Sequence, residues 1–199
     1  MTNLPVSGAF QVTAIYGQQG SYWKNGHKGI DLVAGDRKVY ATCNGTVRKV
    51  GYDEAGWGQF VSIDEPNGRR HIFCHLQKDS VTVKKGDAVD RLTVLGRMGA
   101  TGNVSGVHLH YQLQQGDTVI DPTLHLGIPN KKGSYHSKDY PLEEVKPMTF
   151  KDYKQIPQWA QKAVEAVAEE GLMLGDADGN FRPNDPVTRA EMAVILSRL

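Results

Sequence analysis

The stretch Val107-His108-Leu109-His110 opens a predicted β-strand that runs to Gln114. Side chains alternate between the two faces of a strand, so the His-x-His pair places both imidazoles on one face. Far earlier in the chain, His27 and Asp31 stand four residues apart. Nitrogen and oxygen ligands of this kind suit a catalytic zinc ion, which takes three protein groups and leaves a fourth position for water. The pattern therefore predicts a zinc centre.

A second apolar, strand-like run, Ile72-Phe73-Cys74-His75-Leu76, supplies a further histidine, and a glycine-rich segment, Gly99-Ala100-Thr101-Gly102, precedes the His-x-His pair. These motifs, in this order, resemble the LytM/lysostaphin-type zinc endopeptidases of peptidase family M23, over roughly residues 8–127. The resemblance implies a zinc ion held by His27, Asp31 and His110. It also implies that His75 and His108 are catalytic histidines that do not bind the metal.

The resemblance further implies hydrolysis of peptide bonds in bacterial peptidoglycan. One of His75 and His108 would accept a proton from water, and the other, once protonated, would stabilise the oxyanion and protonate the leaving amine. Which histidine takes which role stays open. The sequence has no glutamate base of the HExxH kind, which separates it from that class of zinc protease.

Short predicted strands recur at about ten-residue spacing with glycine-containing turns between them, a pattern typical of antiparallel β domains. The predicted strands are 10–17, 38–42, 45–50, 59–63, 70–76, 92–96 and 107–114. We therefore predict a mainly antiparallel β catalytic domain over residues 1–130. Tyr22 and Trp23 precede the first ligand; they either pack within the loop or wall a substrate groove, and we assign them to substrate binding.

Composition excludes several classes of protein. The chain has 199 residues, 39% hydrophobic residues and a net charge of +1, which gives no basic surface for nucleic acid. No apolar run approaches the roughly 20 residues that span a bilayer. The N-terminus shows no signal-peptide pattern, so a protein acting at the extracellular cell wall would be a truncated chain or a phage endolysin. Cys43 and Cys74 are expected to be buried free thiols.

The C-terminal third changes character. Residues 131–149 are polar and rich in turn residues, and we expect a linker there. A two-helix, all-α module is predicted over residues 150–199, with a capping box formed by Thr188 and Glu191. Its motifs resemble the S-layer homology (SLH) repeat; they include Trp159-Ala160, Gly175-Asp176, Asp178-Gly179-x-Phe181-x-Pro183 and Thr188-Arg189-Ala190-Glu191.

The SLH resemblance implies a module that binds secondary cell-wall polysaccharide, with Arg189 in the polysaccharide groove. A module of about 50 residues buries little core alone, so packing on the catalytic domain, self-association or marginal stability all stay open. Two other functions were weighed: a catalytically inactive LytM-like protein that activates another enzyme, and a structural wall-binding protein. The cross-link that is cut also stays open, between glycine bridges and direct D-alanyl links, with D-alanyl favoured.

Overall fold

The computed structural model divides the chain into two compact units, Met1–Leu142 and Glu143–Leu199. It describes residues 3–141, 150–169, 173, 175, 176 and 178–196. The first unit is almost entirely β-structure and the second is helical, as the sequence predicts. None of the helices in these ranges combines the length and apolarity needed to cross a membrane.

The first unit is built on antiparallel strands. They are β1 (Ala9–Ala14), β2 (Ile30–Ala34), β3 (Lys38–Tyr40), β4 (Gly45–Asp53), β5 (Gly58–Asp64), β6 (Arg69–Leu76), β7 (Ala88–Val89), β8 (Val94–Arg97), β9 (Leu109–Gln115), β10 (Thr118–Ile120) and β11 (Gly133–His136). In the described ranges, nine of them form one sheet with the order β11-β1-β2-β9-β6-β5-β4-β7, and β10 pairs with β9. The remaining two, β3 and β8, form a separate ribbon. A short helix, α1 (Pro122–Leu126), follows β10.

The predicted strands 59–63 and 70–76 form a hairpin, because β5 and β6 pair across the turn at Pro66-Asn67-Gly68. Gly68 has a φ of 85°, a left-handed conformation that glycine adopts without steric cost. The strands on either side of Asn44 are also present, but they do not form a hairpin. β3 pairs with β8, whereas β4 pairs with β5 and β7, so this turn carries the chain from the ribbon into the large sheet.

The central strand β9 separates a hydrophobic core from a polar face. Leu109 and Tyr111 join the main core on one side of the sheet. His110 and Gln112 alternate with them and therefore lie on the other side. β2 and β6 flank β9, with Asp31 and Cys74 both in register with His110. Residues far apart in sequence thus meet at one point on the polar face.

A β-bulge interrupts the pairing of β5 with β6 beside this point. Gln59 pairs with Leu76 and Val61 pairs with Phe73, so two residues of β6, Cys74 and His75, oppose a single residue of β5. His75 adopts a φ of 60°, which is uncommon for a residue other than glycine. Bulges of this type re-direct a side chain next to an active site. Here the bulge turns the His75 side chain out of the simple alternation of β6.

The start of the expected linker is part of the sheet instead. β11 pairs with β1, and Phe10 stacks on Tyr135 with ring centroids 5.7 Å apart. Strand β11 lies at the edge of the sheet and is only partly buried, so its residues can be polar. This is why the polar composition of residues 131–136 did not indicate a strand. The remainder of the expected linker, residues 142–149, lies outside the described residues.

In its described residues, the second unit contains two α-helices, α2 (Gln158–Glu169) and α3 (Arg189–Leu196). Its small core consists of Phe150, Ile156, Val164 and Ala168. The Asp152 carboxylate accepts hydrogen bonds from the backbone N–H groups of Phe181 and Arg182, at 2.8 and 2.7 Å, and so joins two loops. The predicted capping box is confirmed: Thr188 N donates to Glu191 Oε2 at 2.8 Å, and Glu191 N donates to Thr188 Oγ1 at 3.2 Å.

Candidate metal centre and cleft

The three predicted ligands converge on one point. His27 Nε2 lies 2.9 Å from His110 Nδ1 and 3.2 Å from Asp31 Oδ1, and His110 Nδ1 lies 2.9 Å from Asp31 Oδ1. Donor atoms around a tetrahedral zinc ion at about 2.0–2.1 Å stand roughly 3.3 Å apart, so this spacing fits such an ion. All three residues are buried. In the described part of the chain, no other group of three His, Cys, Asp or Glu side chains has this spacing.

Contacts outside the donor set fix the orientation of the first histidine. His27 Nδ1 lies 2.9 Å from the Ile15 carbonyl oxygen and donates to it, which leaves the lone pair of Nε2 for the metal. An outer hydrogen bond of this kind selects the tautomer and raises the basicity of the ligand. The Trp23 ring lies against the same imidazole, with centroids 4.5 Å apart.

Close backbone approach fixes the second histidine. A Cβ atom on Gly29 would lie 2.3 Å from the Tyr111 carbonyl oxygen and 2.8 Å from His110 Nε2. Only a glycine lets β2 and β9 come together here with the imidazole between them. Gly29 lies between His27 and Asp31 in the sequence. Close packing against β9 therefore requires a glycine at this position next to the ligands.

Burial alone would raise the pKa of the Asp31 carboxyl group, because it disfavours the charged form. The adjacent imidazoles of His110 and His27 outweigh burial and hold this pKa well below its usual range. The carboxylate is therefore ionised at neutral pH, as a metal ligand must be.

The two predicted catalytic histidines face the same point from the opposite side. Their rings lie 4.8 Å apart, and His108 Nε2 is 3.9 Å from Asp31 Oδ2. His75 Nδ1 donates to the Thr101 carbonyl oxygen and His108 Nδ1 to that of Gly106, both at 2.9 Å. Each ring thus keeps Nε2 free. Burial lowers the pKa of His75 to about 4, so its imidazole is neutral at pH 7.

The glycine-rich segment holds this pair in place. The Thr101 hydroxyl donates to the Leu76 carbonyl oxygen at 2.7 Å and accepts from Gln59 N at 2.9 Å, which ties the segment to both strands of the bulge. A Cβ atom on Gly102 would lie 2.3 Å from the Gly56 carbonyl oxygen. The glycines of this motif therefore allow two loops to interlock beside the metal centre.

A cleft of about 530 Å³ lies above the ligands. Both predicted substrate-binding aromatics line it; Tyr22 is 85% exposed and Trp23 is half-buried. The lining also includes Trp57, Asn103 and Gln112, which the sequence patterns do not predict as site residues. Gln112 had a usable signal, since it follows His110 by two positions and so shares its face. Trp57 and Asn103 had none, because they lie on loops whose position depends on the fold.

The remaining histidines and both cysteines serve structural purposes. His71 is fully buried, and its Nδ1 lies 2.8 Å from Thr42 Oγ1 and 2.8 Å from the Tyr111 hydroxyl. His125 Nε2 donates to the Thr42 carbonyl oxygen at 3.1 Å. Cys43 and Cys74 are buried free thiols, as expected, and burial raises the pKa of Cys43 to about 12.

The predicted wall-polymer residue, Arg189, lies at the first position of α3 and is exposed. The described part of this unit contains an apolar cavity of about 430 Å³. Its lining includes Arg182 and Ala190, and Arg189 is not part of it. The geometry therefore leaves Arg189 free for an external partner and does not connect it to the cavity.

Comparison with known proteins agrees with this geometry. Residues 25–122 match the model of peptidase family M23, and residues 149–193 match that of the S-layer homology domain. The chain therefore carries an M23 peptidase domain followed by an SLH domain. Its fold is similar to the catalytic domain of the antimicrobial peptidase lysostaphin from Staphylococcus simulans, with a TM-score of 0.55 and 26% identity over 60% of this chain and 93% of that one.

Two further similarities concern metal and activity. A zinc containing peptidase from Vibrio cholerae has a similar structure, with a TM-score of 0.54 and 26% identity over 60% of this chain and 38% of that one. The peptidoglycan DD-endopeptidase ShyC of Vibrio cholerae is 36% identical over 87 residues, which are 43% of this chain. The chain spans only 19% of the length of that relative.

Proposed function

We propose that the first unit is a zinc endopeptidase that hydrolyses peptide cross-links in bacterial peptidoglycan. The observation that carries this proposal is the convergence of His27, Asp31 and His110. The imidazoles of His75 and His108 lie beside them, and His27, His75 and His110 line an open cleft. A binding protein has no need for all three metal ligands together with two further histidines. The intact set therefore favours an enzyme over the catalytically inactive alternative.

The zinc ion, when bound by His27, Asp31 and His110, supplies a Lewis acid that polarises a carbonyl group and makes water more acidic. The remaining chemistry belongs to the two other histidines. His75, neutral at pH 7 and with Nε2 free, is suited to accept a proton from water. His108 lies nearer to solvent and close to Asp31, so in its protonated form it is suited to donate to the oxyanion and the leaving amine.

The charge of the cleft supports a directly cross-linked substrate. Its lining includes Lys24 and Lys28 and no carboxylate side chain. Stem peptides joined directly through D-alanine carry free carboxylates, whereas glycine bridges carry none. Two exposed ammonium groups would favour the direct D-alanyl cross-link. We therefore propose a D-alanyl endopeptidase, in line with the DD-endopeptidase activity of the ShyC relative.

For the second unit we propose binding to an acidic secondary cell-wall polysaccharide, which would keep the enzyme at the extracellular wall. The exposed guanidinium of Arg189 can form two parallel hydrogen bonds to a carboxylate, the geometry that suits acidic sugars. A single module would bind weakly as a monomer and more tightly where several copies gather, for instance through self-association of the SLH domain.

One experiment tests the enzymatic proposal directly. Zinc content is measured on the purified protein, and wall lysis is followed before chelation, after chelation and after zinc is restored. We expect one zinc per chain, loss of lysis on chelation and recovery with zinc. Mass spectrometry of the released muropeptides should show cleaved D-alanyl cross-links. Lysis that persists in metal-free protein would contradict the proposal, and cleaved glycine bridges would contradict the assigned specificity.

A further inference from the structure

Gln112 lies on the floor of the cleft, and its side-chain amide is open to the cleft. It is 2% exposed, yet its side chain lines the cleft beside His110 and His75. Among the residues that the structure describes, its side-chain amide makes no hydrogen bond to another group. The donors and the acceptor of this amide are therefore available to a ligand in the cleft.

Other glutamines of the same sheet are satisfied. Gln59 Nε2 donates to the Gly51 carbonyl oxygen at 3.1 Å. Gln114 is two positions further along β9 on the same face, and its Oε1 accepts from Arg70 Nη1 at 3.5 Å. Gln112 differs from both in facing the cleft. Its cross-strand neighbour is Ile72, which offers no polar side chain.

The position of Gln112 matches the repeat of an extended peptide. A strand advances about 3.3 Å per residue, so Gln112 stands about 7 Å along the floor from His110. A substrate peptide lying extended on this floor advances at the same rate. Its peptide group two residues from the scissile bond would therefore lie at the level of Gln112. A carboxamide has both donors and an acceptor, which complement the C=O and N–H of a peptide group.

We propose that Gln112 is a substrate-binding residue that hydrogen-bonds the backbone of the peptide about two residues from the bond that is cut. This inference rests on the proposed endopeptidase function and adds a binding determinant to it. The amide, which has no partner among the described residues, would exchange solvent for hydrogen bonds to substrate. The interaction is made in the bound state as well as in the transition state, so it affects KM more than kcat.

The test compares Gln112→Leu with Gln114→Leu, a matched change on the same strand and face outside the cleft lining. The probe is a soluble muropeptide dimer with a direct D-alanyl cross-link. For Gln112→Leu we expect normal zinc content and a KM raised about 3- to 10-fold, the loss of one or two neutral hydrogen bonds, with kcat changed less than about two-fold. For Gln114→Leu we expect an unchanged KM.

Thermal stability separates this role from a structural one. The Gln112 amide makes no hydrogen bond among the described residues, so replacing it by an apolar group of similar shape should leave the Tm of the substrate-free protein unchanged. A structural glutamine would give a lower Tm. An unchanged KM in Gln112→Leu, or a lowered Tm, overturns the inference. If Gln112→Leu does not fold, Gln112→Ala takes its place with the same expected rise in KM.

A further measurement keeps this inference distinct from the enzymatic proposal. Binding of the same muropeptide dimer to zinc-free protein is measured by calorimetry, which needs no turnover. We expect Gln112→Leu to bind about 3- to 10-fold more weakly than the wild type. If Gln112→Leu binds the dimer more weakly than the wild type, the role of Gln112 is supported even where the wild type has no peptidase activity. If the two proteins bind equally, the role is overturned even where the wild type is active.

Discussion

At the scale of single residues, the centre depends on which nitrogen each imidazole presents. His27 donates through Nδ1 to the Ile15 carbonyl oxygen, and His75 donates through Nδ1 to that of Thr101, so both present Nε2. His110 presents Nδ1 instead, towards Asp31. For His27 and His75, the choice of nitrogen comes from backbone carbonyls placed by the sheet and its loops.

The first prediction concerns the ligands. His27→Ala, Asp31→Ala and His110→Ala should each lose zinc and wall lysis together, because three protein groups are the minimum for a stable catalytic site. Zinc is measured by elemental analysis on folded protein. His136→Ala provides a histidine control, since this side chain accepts from Lys138 N outside the centre. Normal zinc stoichiometry in all three ligand variants would contradict the assignment.

The second prediction concerns His75 and His108. Replacing either by alanine should keep zinc bound and reduce kcat by about 10²- to 10⁴-fold, the usual contribution of a positioned proton-transfer group. Cleavage of the soluble muropeptide dimer, together with zinc analysis, separates this loss from loss of metal. A variant with a near wild-type rate would exclude its histidine from the mechanism.

At the scale of elements, the meeting of β2 with β9 controls the centre. The third prediction is that Gly29→Ala weakens zinc binding, because its Cβ would collide with the Tyr111 carbonyl oxygen and the His110 ring. Gly35→Ala, just beyond the end of β2, is the control, since a Cβ there meets nothing within 4 Å. Zinc affinity is measured by competition with a chelator. Equal affinity in both variants would show that the strands can separate without disturbing His110.

At the scale of the whole molecule, stability should depend on pH through buried neutral histidines. Burial, the nearby His71 and Arg69 lower the pKa of His125 from 6.5 to about 4, although Glu65 and a backbone hydrogen bond oppose them. Between pH 4 and pH 6.5 the unfolded chain therefore binds more protons than the folded chain. It follows that the free energy of unfolding falls as the pH drops from about 6.5 towards 4.

The fourth prediction is that His125→Gln reduces this fall in stability. Glutamine does not titrate, and its amide can still donate to the Thr42 carbonyl oxygen that His125 contacts. The free energy of unfolding is measured by urea titration at pH 7 and pH 5. An identical difference between the two pH values in the wild type and the variant would exclude His125 as a source of the pH dependence.

The fifth prediction concerns the second unit. Deleting residues 150–199 should leave cleavage of soluble muropeptides largely intact, because the metal centre and its supports lie in the first unit. The deletion should reduce pelleting with intact walls, and Arg189→Ala should reproduce part of this loss. Lys154→Ala, another exposed cation of this unit, is the control. Equal wall binding with and without residues 150–199 would show that this unit is a structural cap.

The sequence by itself determined the antiparallel β class and the helical tail, and its resemblance to the M23 peptidases predicted the donor set. These features depend on residue type and local spacing: a His-x-His pair shares a face by alternation, and Thr188 with Glu191 can cap a helix wherever that helix lies. The strands of the β5–β6 hairpin were predictable for the same reason.

The tertiary structure alone decided how these parts meet. The bulge that re-directs His75, the pairing of β11 with β1 and the cleft position of Trp57 and Asn103 all depend on contacts between distant segments. Gln112 shows the difference most clearly. Its face follows from its distance to His110 in sequence, whereas its lack of a partner depends on every segment that folds around it. Alternation is a local property of the backbone, but hydrogen-bond satisfaction is a property of the whole packed molecule.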